Sequence, residues 1–134
     1  MTLALSAAQW AAILRHVQSE APNEACGLLG GTAGRVQQVY PVENAAHSPW
    51  TYRMEAGAQV RAMLEIEAAG WELLAIFHSH PAGPPVPSGT DVAQAYYPDS
   101  IYLILAPGEA GEWQGRAFNI TAEGVSEVPF DVGR

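Results

Sequence analysis

The sequence predicts a mixed α/β fold, a single mixed sheet flanked by helices, and three observations carry that expectation. Two segments, about Ser6 to Ser19 and Ala56 to Ala69, repeat apolar residues at helical spacing. Short apolar runs, such as Cys26 to Gly31 and Ser100 to Leu105, are too brief for helices and are bounded by turn-forming residues. The two kinds of segment alternate along 134 residues without an internal repeat, low-complexity tract or linker, so residues 1–134 are expected to form one domain.

The elements follow in order. Ser6 is a candidate N-cap for the first helix, and Trp10, Ile13, Leu14 and Val17 mark its buried stripe. Ala21-Pro22-Asn23 breaks it. Cys26 to Gly31 reads as a buried strand, Thr32-Ala33-Gly34 as a turn, and Arg35 to Val42 as the return strand of a hairpin. Glu43 to Arg53, with Asn44, His47, Ser48 and Pro49, reads as a loop. The second helix carries Val60, Met63, Leu64 and Glu67 at helical offsets and stops at Gly70. Glu72 to His78 is an apolar strand. Pro81 to Pro87 holds four prolines and one glycine in seven positions, which excludes regular structure. A third helix is expected from Gly89 to Tyr97, then strands over Ser100–Leu105 and Glu112–Ile120 and a last edge strand over Val125–Pro129. The expected order is α-β-β-α-β-α-β-β-β.

Composition excludes several classes of function. The net charge is −8, with six arginines and no lysine, so the chain repels phosphate backbones and no nucleic-acid partner is expected. Without lysine there is no Schiff-base chemistry. One cysteine, Cys26, rules out an internal disulfide and four-cysteine zinc sites. No apolar run approaches the ~20 residues that span a bilayer, and the segment from Met1 to Trp10 lacks signal-peptide features. No membrane association and a cytoplasmic location are expected.

Two of the four histidines, His78 and His80, stand one residue apart at the end of an apolar strand. Positions i and i+2 of a strand share a face, so both imidazoles can aim at one point while Ser79 faces away. Asp91 lies eleven residues after His80, beyond the proline-rich loop. Two neutral imidazoles, one carboxylate and an open position make the ligand set of a catalytic zinc, leaving a site charge of about +1 that acidifies bound water toward pKa ~7. Spacing alone leaves plainer readings open, the first being two surface histidines at a strand end. Ser88-x-x-Asp91 is also a capping box ahead of an apolar run. The capping and catalytic readings are compatible, since a serine at a helix start can also donate to a developing oxyanion. Glu24, beside a chain break and just before a buried strand, is the candidate proton carrier, against a solvated loop glutamate as the plain alternative.

Together these residues resemble a known family. His78-Ser79-His80-Pro81, six residues, Ser88, two residues and Asp91 match every fixed position of the JAMM motif of the MPN-plus metalloproteases. Glu24-Ala25-Cys26-Gly27-Leu28-Leu29-Gly30 is similar to the glutamate-bearing first strand of the compact bacterial branch, and the likeness spans about Leu3 to Asn119. The resemblance implies the MPN/JAMM fold, which is cytidine-deaminase-like, and one zinc per chain held by His78, His80 and Asp91. It implies that Glu24 moves the proton and Ser88 steadies the oxyanion. It further implies a deubiquitinase-like isopeptidase that cuts after the C-terminal Gly-Gly of a ubiquitin-like or sulfur-carrier protein. The tail of that partner could add a strand at an exposed sheet edge. The alternatives are a zinc hydrolase of small peptides or peptidoglycan-type conjugates and a non-catalytic scaffold; the latter typically lacks ligands that this chain has. A homodimer is compatible with the sequence.

The remaining candidates read as structural. Cys26 is expected to be a small buried hydrophobe, His16 a helix-surface residue and His47 a solvated loop residue. Trp50, Tyr52 and Trp71 read as packing groups, the first two with a second reading as groove lining.

Overall fold

The computed structural model describes residues 2–133. The first helix forms for the reason expected. Ser6 Oγ accepts from the Gln9 amide at 3.1 Å, and the Gln9 side chain accepts from Ser6 N at 2.8 Å, a closed capping box that starts α1 (Ala7–Glu20). Around it run β1 (Leu3–Leu5), β2 (Cys26–Thr32), β3 (Arg35–Val42), α2 (Ala56–Ala68), β4 (Glu72–Ser79), α3 (Gly89–Ala93), β5 (Ile101–Pro107), β6 (Trp113–Thr121), β7 (Gly124–Val128) and β8 (Phe130–Val132).

All eight strands join one mixed sheet in the order β7-β6-β5-β4-β2-β3-β1-β8. β4 lies at its centre, antiparallel to β2 and parallel to β5. The alternation of side chains along β4 sorts the core into two layers. Ala75 and Phe77 face α1, beside Ile13, Val17 and Leu103, whereas Ile76 faces α2, beside Leu28, Ala62, Ile66 and Ile104. The β2–β4 pair is close-packed at Gly27, where a Cβ would run into the Phe77 ring and the Tyr40 carbonyl.

Two expectations change. The short strands β1 and β8 close one flank of the sheet and were not legible: three residues each are too few to show a period. The third helix ends at Ala93 rather than Tyr97. Gln94 leaves helical geometry (φ −108°, ψ 18°), Tyr97 is kept from it by Pro98, and the Tyr97 amide donates to the Tyr102 hydroxyl at 3.1 Å.

Candidate metal centre

The register between β2 and β4 assembles the centre. Cys26 pairs with His78 in the antiparallel β2–β4 ladder, so Glu24, two residues before β2 begins, comes opposite His80. Alternation puts both imidazoles on the α2 face. Ser79 points the other way, is fully buried, and its Oγ accepts from the Ala25 amide at 2.8 Å. The chain then turns through the proline-rich segment, where the Pro84 carbonyl lies 2.8 Å from His80 Nδ1. A carbonyl can only accept, so Nδ1 carries the proton and Nε2 is left to bind. Ser88 then starts α3 with a second capping box, its Oγ accepting from Asp91 N at 3.0 Å and its amide donating to Asp91 Oδ2 at 2.8 Å.

Asp91 Oδ2 therefore caps the helix and faces the histidines at once. It lies 3.1 Å from His78 Nε2 and 3.0 Å from His80 Nε2, and the two Nε2 atoms are 3.1 Å apart. This near-equilateral triangle fits one face of a tetrahedron around a metal, whose edges are about 3.3–3.4 Å for bonds of 2.0–2.1 Å. The donor set fits a divalent ion of intermediate softness. Glu24, His78 and His80 also offer atoms within 4.8 Å of one another. The Asp91 oxygen stands closer to both imidazoles, which leaves the Glu24 carboxylate at the margin of the cluster.

Burial governs the titration of these groups. His78 is fully buried and stacks on Tyr52 with centroids 4.6 Å apart, and desolvation lowers its pKa despite Asp91. Burial also opposes the charge on His80, but hydrogen bonds to Asp91 and the Pro84 carbonyl outweigh it and raise its pKa. Burial opposes the charge on Asp91 too, and the two imidazoles overcome it, holding the carboxyl well below the usual range. Glu24 is only 4% exposed, and its Oε1 has no hydrogen-bond partner among the described residues. Desolvation pushes it up to about 7, with His80 lowering and Asp91 raising it. A carboxyl at that value can both take and give a proton near neutral pH.

A cleft of ≈ 240 Å³ opens onto the cluster. Glu24, His80 and Ser88 form its floor, and Pro49, Trp50 and Pro84 are among its walls. Trp50 is 76% exposed, which corrects its reading as a packing residue and leaves that of groove lining. Trp71 does pack against the α2 layer. Tyr52 covers His78, a contact that sequence spacing does not reveal. His16 is half-buried and not simply solvated: its Nε2 lies 3.0 Å from the Cys26 carbonyl and 3.2 Å from that of Val42, because α1 lies over the start of the β2–β3 hairpin. Cys26 is fully buried, and desolvation pushes its thiol up to about 12, in keeping with a small buried hydrophobe. His47 is exposed. Beside the cluster β4 is flanked on both sides, and the sheet ends at β7 and β8.

The family described as prokaryotic homologs of the JAB domain matches residues 6–121. The CysO-cysteine peptidase of Mycobacterium tuberculosis is 34% identical over 123 residues, 90% of this chain and 84% of that protein. The desampylase of Haloferax volcanii is 37% identical over 126 residues, 87% of this chain and 91% of that protein. Among solved structures, a protein from Desulfitobacterium hafniense superposes with a TM-score of 0.87 at 36% identity, covering 100% of this chain and 94% of the other.

Proposed function

The chain belongs to the family of prokaryotic homologues of the JAB domain, and on that premise we propose that it is a zinc-dependent peptidase acting on ubiquitin-like or sulfur-carrier conjugates. The bond cut is the amide after the carrier's C-terminal Gly-Gly. The observation that carries this reading is the triangle of His78 Nε2, His80 Nε2 and Asp91 Oδ2, with edges of 3.0–3.1 Å, set beside a buried glutamate. These three residues hold one zinc per chain. When bound, zinc supplies Lewis acidity, which polarises a carbonyl and brings the pKa of water toward neutrality.

The chain's own groups do the rest. Glu24 takes a proton from the attacking water and delivers it to the leaving nitrogen, so that water adds across the C–N bond and the amine departs neutral. The Ser88 hydroxyl accepts from the Asp91 amide, and its own proton is free to donate to the oxyanion of the tetrahedral intermediate. Apolar walls and small cleft volume suit an extended tail of glycines better than a bulky chain. The named relatives act on such carriers or their conjugates. No helix among the described residues is long and apolar enough to cross a membrane, which is compatible with a cytoplasmic setting.

The test is mass spectrometry of ubiquitin-fold sulfur carriers, each extended by one residue beyond Gly-Gly and incubated with the zinc-loaded protein. Trimming back to the diglycine is expected. Indifference to every carrier together with cleavage of short peptides would overturn the substrate assignment.

A further inference from the structure

Asn44 sits in the loop between β3 and α2, yet it is only 1% exposed. Its amide nitrogen donates to the Glu24 carbonyl at 3.0 Å and to the Thr51 carbonyl at 3.0 Å, with the Ser48 carbonyl at 3.5 Å. Its Oδ1 accepts from the amides of Ala46 and Arg53, both at 3.0 Å. Both amide protons and both oxygen lone pairs are thus engaged. The Glu24 amide in turn donates to the Ser48 carbonyl at 2.9 Å. One buried side chain therefore joins the backbone of Glu24 to the loop that walls the cleft with Pro49 and Trp50 and lays Tyr52 on His78.

We propose that Asn44 is a positioning residue: its amide holds Glu24 and the 46–53 loop as one unit, so that this loop is a fixed wall of the cleft and not a lid. The proposal rests on the reading of Glu24 as the proton carrier. Displacing a reacting group by about 1 Å can cost about a hundredfold in rate, and an orphaned carbonyl beside Glu24 would draw water into its surroundings.

Asparagine in such a loop has a plainer role as a turn former, and one substitution separates the two. Asn44→Asp keeps both acceptor bonds, because aspartate makes the same turn, but it replaces the donor with an oxygen facing the carbonyls of Glu24, Ser48 and Thr51. The expected result is a fall in kcat of about tenfold or more, with KM little changed and zinc content equal to the parent. Asn44→Ala is expected to lose at least as much. Wild-type kcat in Asn44→Asp would overturn the proposal.

Hydrogen exchange on the unsubstituted protein reads the same coupling without any substrate. The amides of Glu24, Ala46 and Arg53 are expected to exchange together, at the rate of a single opening. Rapid exchange at Ala46 and Arg53 while Glu24 stays protected would mean a lid, and would overturn the proposal even if the variants do not fold. If the unsubstituted protein trims no carrier, the functional reading has failed, and exchange alone decides the role of Asn44.

Discussion

The two halves of the centre are built by different means. His78 stands at the end of a central strand and His80 one residue beyond it, and strand register places both on one face. Glu24, Ser88 and Asp91 lie outside the strands or at a helix start. Particular hydrogen bonds hold them: the α3 capping box for Ser88 and Asp91, and the Asn44 amide for Glu24. The strand half is therefore set by packing, and the loop half by a few polar contacts that single substitutions can remove. Substitutions in the loop half should alter chemistry and charge while leaving the sheet intact.

The largest effect expected is on Glu24. Glu24→Gln keeps the shape of a side chain that is 4% exposed but cannot carry a proton. Hydrolysis should fall by about 10²–10⁴-fold while zinc content, measured by elemental analysis, stays at that of the parent. An active variant would assign the proton transfer to another group.

Asp91 sharpens the comparison, because one oxygen serves both halves. Asp91→Asn retains a side-chain oxygen for the Ser88 amide but removes the charge. Asp91→Ala removes both. Zinc affinity, measured by competition with a chelator, should fall in both variants. Only the alanine variant should also lose stability through the cap, by about 1 kcal/mol. Unchanged affinity in Asp91→Ala would reduce this residue to a helix cap.

The smallest effect concerns stability and its sign. Folding raises the Glu24 pKa from 4.5 to about 7, so the folded state binds this proton more tightly than the unfolded state does. The stabilising contribution is full below 4.5 and is lost as pH rises through 7. Metal-free Glu24→Gln has no such loss. Thermal denaturation should therefore show the variant becoming more stable relative to the parent between those pH values, with a ceiling of roughly 3 kcal/mol. The His78 shift acts in both proteins, whereas the Glu24 charge itself helps raise the His80 pKa, so that contribution goes with the substitution. A stability difference that stays flat, or moves in the parent's favour, as pH rises would mean that Glu24 is not a desolvated carboxyl.

These contrasts explain what was legible. The pair at 78 and 80 could be read because strand alternation is local, and the fold class because helix and strand periods differ. The capping box at Ser88 was readable for the same reason, and the structure shows that capping and proximity to the histidines are shared by one oxygen. Asn44 was legible only as a loop residue, since its Glu24 partner is twenty positions away. The stack of Tyr52 on His78 and the bond from His80 Nδ1 to the Pro84 carbonyl depend on how two loops fold back, which no period encodes. His16 was misread because a helix face that meets the end of a hairpin looks polar in sequence.

X-ray absorption at the zinc edge, on protein loaded with one equivalent of the metal, tests the centre most directly. Two imidazole nitrogens and otherwise oxygen at about 2.0–2.1 Å are expected, with no sulfur. The shell should lose one imidazole in His80→Ala. No bound zinc after supplementation, or a sulfur neighbour at about 2.3 Å, would contradict a centre formed by His78, His80 and Asp91.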